Sequence, residues 1–135
     1  PFAIGKGRLI RDGGDVTILS TGTVTAEVIK AAELLEAKGI HARVIGLGTV
    51  CPLDEEMILK AARETGKIVT VEEHYAQGGL GTMVAEVLSE TEPGKVKKIG
   101  VPKEYATSGP YEDLIRYYGL DSESIAETVE KFCRE

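Results

Sequence analysis

Cysteine and histidine are scarce, with two of each in 135 residues. Cys51 and Cys133 stand far apart with no CxxC, so neither a disulfide framework nor a zinc site is readable, and His41 and His74 do not supply one. Basic charge is in deficit: 22 Asp and Glu face 16 Lys and Arg, for a net charge of -6. Nucleic-acid binding needs clustered cations. The only local cluster, Lys95, Lys97 and Lys98, falls on a predicted strand and reads as a solvated edge. No apolar run approaches the roughly 20 residues of a membrane helix. No signal peptide is visible, and the expected location is cytoplasmic. The chain opens Pro1-Phe2-Ala3 rather than with Met, which reads as a piece of something longer. Two phosphate-binding signatures are also missing. The turn Ser20-Thr21-Gly22-Thr23 has one glycine where a dinucleotide fingerprint needs three, and no Gly-rich run ends in Lys-Ser or Lys-Thr.

What is present is an ordinary globular composition, 42% hydrophobic and 28% charged, at a length that suits one domain, residues 1–135, with one core. Arg8 to Arg11 is a short strand candidate that ends in the turn Asp12-Gly13-Gly14. Val16-Thr17-Ile18-Leu19 is a short, nearly all-apolar run of the kind buried on both faces of a parallel sheet. Val28, Ile29, Ala32 and Leu35 follow at helical spacing, and Gly39 ends that helix. The unit then repeats. His41 to Val50 is a strand, and Asp54 caps a helix carrying Met57, Ile58, Ala61 and Ala62. Gly66 stops that helix. Ile68 to Val71 is a third buried strand, followed by a loop from Glu72 to Gly81 and a helix with Met83, Val84, Val87 and Leu88. Pro93-Gly94 stops it, and Val96 to Val101 is an edge strand interrupted by lysines. Two helices close the chain: one with Tyr111, Leu114, Ile115 and Tyr118 ending at Gly119, and one capped by Asp121 or Ser122 that buries Ile125, Val129 and Phe132. Alternating strands and helices with short turns predict parallel strands joined by right-handed crossovers, with helices on both faces.

In open α/β sheets ligands bind at the carboxyl ends of the strands. Cys51, at the second tip, has no base near it in sequence and reads as a small buried hydrophobe. The richest tip is Glu72-Glu73-His74-Tyr75-Ala76-Gln77-Gly78-Gly79-Leu80-Gly81-Thr82. Glu72 and Glu73 are adjacent and point to opposite faces of an extended chain, so they form no shared-proton pair. His74 is either a polarised acid or base, or a histidine holding a carboxylate or carbonyl. His74, Gly78, Gly79, Gly81 and Thr82 form a candidate anion or ligand turn, because exposed N–H groups at a helix start favour an anion. The alternative is packing: Gly78 and Gly79 make the turn, Gly81 lets helix and strand approach, and Glu72 or Glu73 neutralises the helix end. In the fourth region Ser108 or Gly109 caps a helix with Pro110 in its first turn, and Lys103, Glu104 and Tyr105 have no partner set. No Ser/His/Asp triad emerges, and no catalytic, metal-binding or cofactor-binding residue is assigned.

Taken in order, these pieces resemble a known family. Gly5-Lys6-Gly7 followed by Arg11-Asp12-Gly13-Gly14-Asp15-Val16-Thr17-Ile18 resembles the opening of the C-terminal domain of transketolase-type thiamine-diphosphate enzymes. So do Ala31 to Leu35, Gly39 to Ile45, the break Pro52-Leu53-Asp54, and the stretch Val71-Glu72-Glu73-His74 with Gly78-Gly79-Leu80-Gly81. Ser108 to Ile115, Tyr118-Gly119-Leu120 and Ser124-Ile125 resemble the end seen in transketolases and deoxyxylulose phosphate synthases. One departure is Lys103-Glu104-Tyr105, where the transketolase-like branch often carries Asp-Arg-Phe.

The resemblance implies a three-layer α/β/α fold with a five-stranded, mixed, mostly parallel sheet of order 1-3-2-4-5, strand 1 antiparallel beside His41 to Val50. Turn patterning alone favours a hairpin between Arg8–Arg11 and Val16–Leu19 instead. The resemblance also implies a non-catalytic interface or regulatory domain in a homo-oligomeric transketolase that moves a two-carbon ketol unit between sugar phosphates. The partners are then the pyrimidine-binding and diphosphate-binding domains, which hold thiamine diphosphate and Mg. Within the class the alternatives are deoxyxylulose phosphate synthase and the beta subunit of a 2-oxoacid dehydrogenase. Outside it stands a flavodoxin-like ligand-binding or regulatory module. A phosphate-receiver variant of that module needs an Asp at a central strand tip, where Val50-Cys51 and Thr21-Gly22 stand here.

Overall fold

A computed structural model describes residues 7–48, 54–75, 79–91, 95–101 and 115–135. Five strands form one sheet: β1 (Gly7–Arg11), β2 (Val16–Ser20), β3 (Ala42–Leu47), β4 (Lys67–Tyr75) and β5 (Lys95–Val101). Their order is β1-β3-β2-β4-β5. Strand β1 runs antiparallel to β3, and every other pair is parallel. Among the described residues the sheet is flanked by α1 (Thr25–Ala37), entered through a 3-10 turn at Gly22–Val24, α2 (Glu55–Thr65), α3 (Leu80–Thr91) and α4 (Ser122–Cys133), and residues 115–117 are also helical, in a segment that ends at Gly119 with φ 73°.

The alternation of side chains along each strand sorts the core into two halves. Val16 and Ile18 of β2, Val44 of β3, and Val69 and Val71 of β4 pack against Val28, Leu35, Ile125 and Phe132 of α1 and α4. Leu19, Ile45, Leu47 and Ile68 face the other way, against Ile58 of α2 and Leu80, Val84 and Leu88 of α3. Central strand β2 is buried at all five positions, as an apolar run between two helix layers should be. Its polar residues are paired inside: the Thr17 hydroxyl meets that of Thr65 at 2.9 Å, and the Ser20 hydroxyl meets that of Thr25 at 2.8 Å.

The hairpin favoured by local turn chemistry does not form. The chain leaves β1, crosses the start of β3 and enters β2 on its far side. Gly13 makes this crossing feasible, because a Cβ there would lie 2.5 Å from the carbonyl oxygen of His41 and 2.6 Å from the carbonyl carbon of Ala42. The crossing is tied down by Asp15 N–H to the His41 carbonyl at 3.0 Å and by His41 N–H to the Asp15 carboxylate at 2.7 Å. Two surface ion-pair groups lie around it, Glu36 with Arg11 and His41, and Arg43 with Asp12 and Glu64. Hydrogen bonds from Arg11 and then His41 hold the Glu36 carboxyl below its usual range. The Gly13 N–H, then Arg43, does the same for Asp12.

The capping expectations hold where they are described. Asp54 accepts from the Met57 N–H at 3.3 Å, and Gly66 ends α2 at φ 75°. Asp121 accepts from the Ser124 N–H at 3.1 Å to start α4. Two boundaries differ from expectation. The third parallel strand does not stop at Val71 but continues to Tyr75, which pairs with Val101 after a register shift. β3 ends at Leu47. Lys95, Lys97 and Lys98 are exposed on the edge strand, as expected.

Candidate functional site

The carboxyl end of β4 and the start of α3 form the candidate turn. Glu72 is 2% exposed. Its carboxylate accepts the Leu80 N–H at 3.0 Å through one oxygen and the Gly81 N–H at 3.1 Å through the other. These are first-turn donors of α3, which the helix itself leaves unbonded. A negative group at that position also complements the positive end of the helix. The anion at this helix start is thus part of the chain. Glu72 is buried at this depth because both its oxygens are bonded. The same bonding explains why the strand runs past the apolar stretch that marked it in the sequence.

Gly81 is buried where α3 meets the sheet. A Cβ there would come within 2.5 Å of Lys98 Cγ and 2.7 Å of Thr70 Oγ1. Close helix-to-strand approach is therefore one function of this glycine. Thr70 is fully buried, and its hydroxyl has no hydrogen-bond partner. It lies two residues before Glu72, on the same face of β4.

Of the expected turn residues, Gly79, Gly81 and Thr82 come together at the start of α3, where the Gly79 carbonyl accepts the Met83 N–H at 3.2 Å. The backbone of His74 belongs to β4 rather than to a loop. Its side chain lies outside the description, as do Gly78, Cys51, residues 102–110 with Lys103, Glu104, Tyr105, Ser108, Gly109 and Pro110, and the Pro93-Gly94 stop. The neighbouring tip of β2 lies beside this one, with Ser20 level with Val71 and the Thr21 N–H directed at the Val71 carbonyl at 3.4 Å. Cys133 is half-buried near the C-terminal end of α4, and burial pushes its thiol up, away from the reactive thiolate. Among the described residues, no three His, Cys, Asp or Glu side chains converge as metal ligands, and no helix is long and apolar enough to cross a membrane.

Sequence reasoning named Asp54 as a cap but missed its second bond. Its other carboxylate oxygen accepts the Gly7 N–H at 2.8 Å and so ties the start of β1 to α2. Nothing in the local pattern signals a contact across so many residues. Glu72 could be found in sequence only as a carboxylate near a helix start; which of the two adjacent glutamates turned inward depended on the face of β4.

Residues 5–125 match the family described as Transketolase, C-terminal domain. The chain is 42% identical over 134 residues to an apulose-4-phosphate transketolase subunit of Phocaeicola vulgatus, a match covering 99% of this chain and 43% of that protein. It is 46% identical over 127 residues to the 1-deoxy-D-xylulose-5-phosphate synthase of Heliobacterium modesticaldum, covering 93% of this chain and 20% of that one. Among solved structures, a split gene transketolase described as an inactive beta4 tetramer superposes with a TM-score of 0.91 at 44% identity, over 96% of this chain and 43% of that chain. The chain therefore spans less than half the length of these relatives. Its sheet order, its antiparallel first strand and a match running nearly end to end make it a member of the transketolase C-terminal domain family.

Proposed function

We propose that residues 1–135 act as one C-terminal domain of a thiamine-diphosphate-dependent transketolase, which moves a two-carbon ketol unit between sugar phosphates. The observation that carries this reading is the superposition on the split gene transketolase, at a TM-score of 0.91 and 44% identity. In this reading the domain supports catalysis from outside the active centre. It packs on the pyrimidine-binding domain, in an assembly that also contains the diphosphate-binding domain, and extends the interface of a cytoplasmic homo-oligomer.

The described residues do not fit thiamine diphosphate and Mg. A diphosphate needs free donors and its metal needs convergent oxygens. The two N–H groups at the start of α3 are bonded to Glu72. We assign the cofactor to the companion domains and derive no step through it here. We read the turn of His74, Gly78, Gly79, Gly81 and Thr82 as internally capped, since the Gly81 N–H that would hold an outside anion is already bonded to Glu72.

The test is calorimetry of the isolated chain with thiamine diphosphate and magnesium. A flat titration and no turnover of sugar phosphates are expected, whereas micromolar binding at one site per chain would overturn the assignment. A second reading, part of a deoxyxylulose phosphate synthase, draws on the 46% identity to the Heliobacterium modesticaldum protein. Assaying the assembled enzyme for ketol transfer against 1-deoxyxylulose 5-phosphate formation separates the two.

A further inference from the structure

We draw no further inference here: the strongest candidate, the cleft between the start of α1 and the start of α4 lined by Glu27, Lys30, Arg116, Asp121 and Glu123, carries none, because its walls hold charges of both signs and nothing in the structure shows what covers it.

Discussion

Replacing Gly13 with Ala while leaving Gly14 alone, and then the reverse, tests the crossing that sets the sheet order. The two glycines are adjacent in one turn, yet their surroundings differ. At Gly13 a methyl would lie 2.5 Å from His41 O, 2.6 Å from Ala42 C and 2.7 Å from His41 C, all backbone atoms. That backbone cannot yield easily, because Ala42 is paired with Val16 on its other side. At Gly14 a methyl meets nothing within 4 Å, and its φ is not left-handed. Overpacking of this kind costs about 1–3 kcal/mol. Displacing the turn also strains the two hydrogen bonds between Asp15 and His41, each worth about 1 kcal/mol. Against this, alanine restricts the unfolded chain and returns about 0.4–1 kcal/mol at either position. Gly13→Ala should therefore lose about 2 kcal/mol net, and Gly14→Ala should gain a few tenths to about 1 kcal/mol. Urea unfolding followed by far-ultraviolet circular dichroism, with a shared slope, reads both as midpoint shifts. Equal midpoints for the two variants would refute the crossing geometry, because a β1–β2 hairpin would present both glycines to solvent.

Two further substitutions probe the polar groups inside the fold. Thr70→Val removes a buried hydroxyl that has no partner and should leave the melting temperature unchanged or raise it, by about 1 kcal/mol in stability; a clear loss would mean that the hydroxyl is bonded in solution. Asp121→Ala should cost about 1 kcal/mol as a lost helix cap. Burial by itself would raise the Asp121 carboxyl, but the Ser124 side chain and N–H bonds outweigh it and hold the group below its usual range. A carboxyl lowered by folding contributes in full above its unfolded value, near pH 4, and the contribution fades as pH falls through the lower folded value. The gap between wild type and Asp121→Ala should therefore narrow in acid, and a gap that widened would contradict the assignment.

Local chemistry determined most of the elements. The run Val16 to Leu19 has no polar face to offer solvent, so it could serve only as a strand between two helix layers, and β2 is that strand. Asp54, Gly66, Asp121 and Gly119 mark helix ends through short-range hydrogen bonds or positive φ, which need only a few neighbouring residues. What the sequence patterning misjudged depends on groups distant in the chain. Asp12-Gly13-Gly14 is a good hairpin turn by itself, but Gly13 was needed for contact with His41 and Ala42, a requirement visible only once β3 lies beneath it. The likeness to a known family carried that pairing where turn chemistry did not. The strand β4 passes its apolar run into Glu72 because Leu80 and Gly81 supply donors from the next helix. Asp54 reaches Gly7 for the same reason, since an acceptor with a spare oxygen serves whichever donor the tertiary fold brings to it. Hydrophobic period and capping act over a few residues, so they were legible in the sequence. Burial of a charge is decided by partners from elsewhere in the chain, and only the assembled sheet and helices supplied them.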